Sequence, residues 1–320
     1  MRKILFISLA LLMGLAACTD KKEKIATHRL QAINLGVMSS MDYIPFAIAN
    51  QEGIYDSLGL KVNIMKFLSA NEQDAAFQSE KVDGTVTGFT NAILQQVHGI
   101  PLKIIMKNDG YFCFITRKES GIKSLKQLNG KIIAVSHNTA IEYCTDYILN
   151  KAGIAVEEVN KPAINNIIIR LEMLQNKQID ASIFPDPFAS IAMSNGCRSL
   201  ISTQELGLSV TGTIFSEKAL KEKSEEIKQL IIGYNLAVNY MYSHPDKEWK
   251  QVLTTDAEVP EALANIIALP QYHQATLPAS KDLENTILWL KAKGLVPASY
   301  NQKNIIDSTY TRPEIMTNAN

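Results

Sequence analysis

Short polar segments follow six of the predicted strands, and each precedes a predicted helix. In open α/β sheets, ligands bind at the carboxyl ends of the strands. We therefore predict one binding crevice with contributions from both halves of the chain. The first half contributes Ser40, Asp42, Tyr43, Ser69, Thr87, Phe89, Thr90 and Asn108. The second half contributes Ser136, His137, Asn138, Thr139, Asn165, Asp186 and Phe188.

Small hydroxyl and amide residues before a helix leave backbone N–H groups free to bind an anionic or polar group. Ser136, Asn138 and Thr139 open one such helix and are predicted to hold the polar end of a ligand. The alternative is that these residues only cap helices. Six such segments at one crevice favour binding. His137 could add positive charge below neutral pH or simply face solvent.

Two carboxylates, Asp42 and Asp186, are predicted near the same crevice, which disfavours bare nitrate as the ligand. A solute with both a donor end and an acceptor end fits better, either an amino-sulfonate or an aminopyrimidine. Tyr43, Phe89 and Phe188 could flank a flat ring, or they could belong to the core.

Motifs of common enzyme classes do not occur in the sequence. It has no GxSxG, no HExxH, no dinucleotide-type glycine loop and no complete phosphate-binding loop, and its five histidines are scattered singly. We predict no catalytic residues, no metal site and no cofactor. Lys and Arg total 32, as do Asp and Glu. This balance gives no indication of nucleic-acid binding.

The elements that must position these residues alternate between strands and helices. Strands are predicted at 33–38, 60–67, 82–86, 102–106, 131–135, 156–159 and 179–184, and helices at 45–51, 71–79, 90–97, 124–128, 140–151, 167–176 and 187–194. This order predicts an α/β fold with mostly parallel sheets flanked by helices. Apolar residues at helical spacing after residue 213 predict a helical C-terminal part that covers the first lobe.

An internal repeat suggests two lobes of one topology. Residues 77–86 (FQSEKVDGTV) align without gaps with residues 174–183 (LQNKQIDASI) at an offset of 97. The alternative is a chance likeness between two ordinary helix–turn–strand units.

The N-terminus is typical of an exported protein. Residues 1–17 contain a basic head, an apolar run and small residues, which predicts a signal peptide. The segment LAAC at 15–18 resembles a bacterial lipobox, so Cys18 is predicted to be lipidated and residues 18–29 to form a tether. The protein is then extracytoplasmic and anchored to a bacterial membrane, on its periplasmic face or at the cell surface. The alternative is a plain signal peptide with a chance cysteine.

Three further cysteines, Cys113, Cys144 and Cys197, have no CxxC spacing. One disulfide is possible, but we favour three buried, unpaired thiols.

A set of short motifs resembles importer binding proteins for nitrate, sulfonates, taurine and thiamine-pyrimidine precursors. The motifs are DYIP (42–45), GIY (53–55), GLKV (59–62), VDG (82–84), GIP (99–101), GIKSLKQLNGK (121–131), IDA (179–181) and DPF (186–188). The resemblance implies a two-lobed type II periplasmic-binding-protein fold with two crossovers. It also implies a monomer that clamps a small molecule and delivers it to an ABC permease and its ATPase.

The motifs and the repeat together predict the lobe boundaries. The first lobe is discontinuous (30–116 and 212–320), the second lobe is 117–211, and the hinge lies at 107–111 and 211–213. Two other classes remain open. One is an enzyme on the same fold, related to the menaquinone pathway or to pyrimidine synthases, and the other is a lipoprotein that recruits a partner protein. The predicted export favours the binding protein.

Overall fold

The fold is described from a computed structural model over residues 30–312. The predicted signal peptide, Cys18 and the tether therefore lie outside the described residues. The strands of the described range are β1 (Ile33–Met38), β2 (Val62–Phe67), β3 (Gly84–Gly88), β4 (Leu102–Lys107), β5 (Phe112–Thr116), β6 (Ile133–Ala134), β7 (Ala181–Pro185), β8 (Arg198–Ser202) and β9 (Thr211–Ser216).

Helices cover the faces of these strands. They are α1 (Ile44–Gln51), α2 (Ile54–Ser57), α3 (Ala70–Gln78), α4 (Phe89–Val97), α5 (Ala140–Ala152), α6 (Ile167–Gln175), α7 (Phe188–Ser194), α8 (Glu217–Glu222), α9 (Ser224–Ser243), α10 (Asp246–Trp249), α11 (Gln251–Thr255), α12 (Glu261–Ala264) and α13 (Ser280–Ala292). Single 3-10 turns occur at Met41–Tyr43, Leu125–Leu128, Val156–Glu158, Gln302–Asn304 and Thr309–Thr311. Within this range, no helix has both the length and the apolar character to cross a bilayer.

The strands form two mixed sheets. The first has the order β2-β1-β3-β9-β4 and the second the order β6-β7-β5-β8. We call the parts of the chain built around them the first lobe and the second lobe. In each sheet one strand runs against all the others, β9 in the first and β5 in the second. The remaining strands share one direction, which confirms the predicted α/β class.

The internal repeat of the sequence corresponds to equivalent elements of the two lobes. Helix α3 leads into β3 in the first lobe, and α6 leads into β7 in the second. Both α6 and β7 begin 97 residues after their counterparts. Strand β3 lies beside β1, as β7 lies beside β6. The two lobes therefore share one topology.

One predicted strand, at 156–159, is wrong. Residues Val156–Glu158 form a 3-10 turn, in which the Glu158 side chain accepts the backbone N–H of Ala155 at 2.9 Å. Such a local side-chain bond offers the backbone an alternative to a strand ladder. The edge of the second sheet is completed instead by isolated bridges at Asn160 and Ala163.

The C-terminal helices cover the first lobe, as predicted. The apolar stripe of α9 is buried against α1, and Phe46 and Tyr234 bring their ring centroids to 4.8 Å. Leu283 and Ile287 of α13 pack against α4 in a second cluster of the same lobe. The three thiols Cys113, Cys144 and Cys197 are buried and free, which confirms the favoured interpretation.

Helix α13 also reaches the second lobe. Trp289 donates its indole N–H to Asp146 Oδ2 at 3.0 Å and meets the Tyr143 ring edge-on at 5.5 Å between centroids. Beyond the end of the helix, Lys293 Nζ lies 2.7 Å from Glu142 Oε1. We call this set the α5–α13 contact. It joins a helix of one lobe to a helix of the other, so it stabilises their closed arrangement.

Replacing Lys293 by Met should favour opening of the lobes. Glu142 keeps Lys161 at 3.4 Å as a partner, so its charge is not left uncompensated. This ion pair joins a partly exposed ammonium group to a buried carboxylate and is worth about 1 kcal/mol, or roughly a fivefold change in the ratio of open to closed molecules. Distance distributions between spin labels on the two lobes measure that ratio in the unliganded protein.

The matched control is Lys291→Met, two residues earlier in the last turn of α13. Lys291 donates to Ala298 O within its own lobe, so its replacement should leave the distances unchanged. Equal distributions for Lys293→Met and the wild type would show that the ion pair does not contribute to closure.

Candidate functional site

A cavity of about 80 Å³ lies between the lobes, where strand ends of both sheets meet. From the first lobe it is lined by Met38, Ser40, Asp42, Ala70, Gln73, Val86, Thr87, Gly88, Asn91 and Thr211, and from the second by Phe112, Ser136, Thr139, Ala140, Ile141, Asn165, Ile167, Arg170 and Pro185. Ten of these nineteen residues carry polar or charged side chains, which can orient a small molecule, and the other nine are apolar or glycine. In the range 30–312, no three His, Cys, Asp or Glu side chains are grouped so that they could hold a metal ion.

The lobes approach each other closely around this cavity. A Cβ atom added to Gly88, at the end of β3, would lie 3.1 Å from the Cβ of Ala140 at the start of α5. Nearby, Ile167 N–H donates to Leu68 O at 3.3 Å from one lobe to the other. The cavity is therefore closed by backbone and small side chains of both lobes.

Asp42 is the acidic group of the cavity. It lies in the 3-10 turn after β1, where it is 6% exposed and accepts a short hydrogen bond from the Ser40 hydroxyl. Burial raises the pKa of Asp42, and hydrogen bonds from Ser40 and Thr211 oppose this effect. Behind it, the Asn108 amide donates to the carbonyl of Asp42 at 3.2 Å. Ser40 and Thr211 thus hold the carboxylate, and Asn108 holds the backbone of Asp42.

On the second-lobe side, Ser136 and Thr139 precede α5. The Thr139 hydroxyl donates to Ser136 O at 2.7 Å and accepts the N–H of Ile141 at 3.2 Å, so it caps the helix. The Ser136 hydroxyl donates to Asn165 Oδ1 at 3.2 Å. These bonds fix the loop, and they leave the start of α5 facing the cavity.

Arg170 is the cationic group of the cavity, and only 2% of it is exposed. Its Nη1 donates to Ile164 O at 2.8 Å, and its guanidinium lies 5.3 Å from the centroid of the Phe184 ring. Its Nε has no hydrogen-bond partner, and no carboxylate of residues 30–312 forms an ion pair with it. Burial lowers its pKa to about 10, so it stays charged at neutral pH.

A buried charge without a counter-charge costs several kcal/mol, because it loses its hydration and gains no ion pair in return. The guanidinium also has a fixed fork of donors that suits oxyanions. The site can therefore bind an anion at Arg170.

Six of the predicted site residues come together at the cavity: Ser40, Asp42, Thr87, Ser136, Thr139 and Asn165. The other predicted residues lie outside its lining. Tyr43 is buried in the core with its hydroxyl 3.0 Å from Asp256 Oδ1, and Phe89 packs in the core around α4. Both fill space inside the first lobe, as large apolar rings commonly do.

Two further predicted residues of the first lobe have local roles. Ser69 caps α3 by accepting the Glu72 N–H at 3.3 Å, and Thr90 donates to Asn91 Oδ1 at 3.3 Å. Asn108, described above, supports Asp42 from behind and also accepts the Thr213 hydroxyl at 2.8 Å.

The remaining predicted residues belong to the second lobe. His137 is exposed, and both it and Asn138, whose φ is 61°, line a neighbouring surface pocket and not the cavity. Asp186 accepts the Ser190 N–H at 2.9 Å and faces Tyr111 near the crossover. Phe188 packs against the core of its lobe.

The sequence analysis missed several lining residues, notably Gln73, Asn91, Thr211 and Arg170. Gln73 and Arg170 lie one turn inside their helices rather than in the preceding loops. A signal for Arg170 exists, since it is a lone cation in the apolar run IIIRL of a predicted helix.

Asp74 orients one of these residues. Its two carboxylate oxygens accept the amide of Asn91 at 2.7 Å and the amide of Gln95 at 2.9 Å. Burial raises the pKa of Asp74 to about 6, although the bond from Asn91 opposes the rise. The folded protein therefore holds this proton more tightly than the unfolded chain does.

Deprotonation of Asp74 should make the folded protein less stable as the pH rises. Between the ordinary pKa of 3.8 and about 6, the folded state binds more protons, so the free energy of unfolding falls through this window. Asp74→Asn removes the titration. Urea unfolding should show that, between pH 4.5 and 7.5, the free energy of unfolding of the variant rises relative to that of the wild type by on the order of 2 kcal/mol. Asp56→Asn, at an exposed position, is the control. A pH-independent difference would contradict the role of Asp74.

The family model described as NMT1/THI5-like matches residues 40–248. A search of curated proteins finds no match.

Solved structures resemble this one over most of their length. The periplasmic aliphatic sulphonate binding protein SsuA of Escherichia coli is 17% identical with a TM-score of 0.70, and the match covers 86% of this chain and 92% of that one. The periplasmic nitrate-binding protein NrtA of Synechocystis PCC 6803 is 12% identical with a TM-score of 0.73, covering 91% and 88%. The desulfurization enzyme DSZB is 13% identical with a TM-score of 0.65, covering 90% and 98%. At these identities the likeness concerns the fold.

Proposed function

Because this chain belongs to the NMT1/THI5-like family, we propose that it is an extracytoplasmic solute-binding lipoprotein of an ABC importer. In this proposal it captures a small organic anion of the sulfonate type between its two lobes and delivers it to a permease and its ATPase. The shared fold with sulfonate- and nitrate-binding periplasmic proteins supports this class of protein.

The observation that carries the proposal is the buried guanidinium of Arg170. It favours an anion over a neutral aminopyrimidine, because only an anion supplies the counter-charge that the described protein atoms do not. Asp42 in the same cavity disfavours a bare inorganic anion and favours an organic one with a further polar group. A cavity of about 80 Å³ has room for roughly five to eight water molecules, which suits a compact solute.

We propose that the predicted lobes (30–116 with 212–320, and 117–211) close by bending at 107–111 and 211–213, with one change to their bounds: β5 at 112–116 goes with the second lobe and Thr211 of β9 with the first, because each strand pairs within that lobe's sheet. Two features support these boundaries. The first segment leads into β5 and the second begins β9, so each adjoins an interior strand. Gly110 lies against the site, since a Cβ added there would be 2.6 Å from the Cβ of Asp42. We therefore expect movement of residues 107–111 to displace Asp42, at the acidic end of the cavity.

Arg170→Met should weaken the binding of sulfonates about 100-fold, the effect of losing charge-assisted hydrogen bonds in a buried site. Titration calorimetry with a panel of short alkanesulfonates and 2-aminoethanesulfonate measures the effect. The free energy of unfolding should stay level or rise, because a buried charge is removed. Arg198→Met, an exposed change in the same lobe, should bind as the wild type does. Undiminished binding by Arg170→Met would refute the anion site.

Membrane anchoring depends on Cys18. Changing Cys18 to Ser should release the protein from membranes or leave an unprocessed precursor, since the acyl chains that hold it would be absent. Membrane fractionation and mass spectrometry distinguish these results. Cys197→Ser changes a thiol of the folded part and should remain membrane-bound. A Cys18→Ser protein of mature size that still fractionates with membranes would rule out the lipobox.

An enzyme on the same fold is the second candidate, and the likeness to a desulfurization enzyme shows that the fold can carry catalysis. The described residues favour the binding protein. The thiols are buried, and burial raises the pKa of Cys113 to about 12, so this thiol is protonated and a poor nucleophile at neutral pH.

A further inference from the structure

Gln73 presents a hydrogen-bond acceptor that no protein group uses. Its side chain lines the cavity and is fully buried, and its amide nitrogen donates to Val86 O at 2.9 Å. A carbonyl can only accept, so this bond fixes the orientation of the amide. Its Oε1 then has no donor among the residues of the described range. Buried polar atoms normally have a partner, and an exception calls for an explanation.

Arg170 is the counterpart of Gln73 in the other lobe. Gln73 is the fourth residue of α3 and Arg170 the fourth residue of α6, the two helices related by the repeat. Both side chains line the same cavity, and each has one buried polar atom without a partner. The two atoms differ in kind: Gln73 Oε1 can only accept a hydrogen bond, and Arg170 Nε can only donate one.

We infer that Gln73 selects solutes that carry an O–H or N–H donor in addition to the anionic group bound by Arg170. This inference rests on the proposed function and specifies its substrate class. A ligand that reaches both atoms is bound by both lobes at once, and it satisfies these two unpaired atoms of the residues that line the cavity. Asp42 adds a second acceptor in the first lobe, which also suits a donor.

A simple alkyl anion of the same size would leave Gln73 Oε1 unpaired in the closed protein. A site built to bond a donor discriminates strongly against the analogue that lacks it, because the buried acceptor then loses water and gains nothing. Discrimination between anions with and without an additional donor should therefore depend on Gln73, whereas binding of the anionic group should depend on Arg170.

The test compares 2-hydroxyethanesulfonate and 2-aminoethanesulfonate with ethanesulfonate by titration calorimetry. The wild type should bind the first two at least tenfold more tightly than the third. Gln73→Met, which keeps the length of the side chain, should remove most of this preference and leave the affinity for ethanesulfonate nearly unchanged. Gln78→Met, an exposed change on the same helix, should keep the preference.

The outcomes separate this inference from the proposed function. If all three sulfonates bind in an Arg170-dependent manner but the wild type shows no preference, the anion site stands and the role of Gln73 is refuted. The same holds if Gln73→Met weakens all three ligands equally. If none of the three binds to the wild type, the proposed function fails and the inference fails with it. The lack of a preference in the wild type would refute the inference even if Gln73→Met does not fold.

Discussion

Strands β5 and β9, which follow the two crossovers between the sheets, each lie in the interior of the sheet that they enter. Strand β9 bonds to β3 on one side and β4 on the other, so the first sheet is complete only after the chain has returned from the second lobe. Strand β5 occupies the same place between β7 and β8. Both crossovers run directly into interior strands. Each connection between the lobes is therefore fixed at its end by a strand that is hydrogen-bonded on both sides. The cavity lies where these constrained ends meet.

The two lobes share a topology but differ in chemistry. Equivalent helices start 97 residues apart, and equivalent positions on them carry an amide in one lobe and a guanidinium in the other. The first lobe supplies acceptors through Gln73 and Asp42, and the second supplies the cation. In our proposal, such an arrangement binds a ligand with two different ends in one orientation only, because each end finds its partner in one lobe.

Much of the fold could be predicted from the sequence, because alternating strands and helices have clear periodicities. Strand β1 and the start of α5 lie where the sequence predicts them. Strand β9 was missed because TGTIFS contains a glycine and hydroxyl residues, a composition that also suits a turn. Its pairing with β3 and β4 decides its conformation, and a Cβ on Gly212 would come within 2.7 Å of Met106 O. Strand β5 is an apolar run that sequence could have identified.

The site was predictable in part for a related reason. Residues in the loops after strands, such as Asp42 and Thr139, can be located from strand ends alone. Gln73 and Arg170 depend on how far the helices project across the crevice, which is a tertiary property. Tyr43 and Phe89 were predicted at the site but lie in the core, because a position near the end of a strand does not reveal which way a ring points.

The α5–α13 contact has a consequence for how lobe movement can be observed. The chain has two tryptophans, and Trp249 is buried in the core of the first lobe, away from the second. Trp289 packs against cores of both lobes and bonds to Asp146 across the boundary. Opening exchanges a carboxylate and a tyrosine ring for water around one indole only. For the lobe movement that we propose, this indole is therefore an intrinsic optical reporter that needs no attached dye.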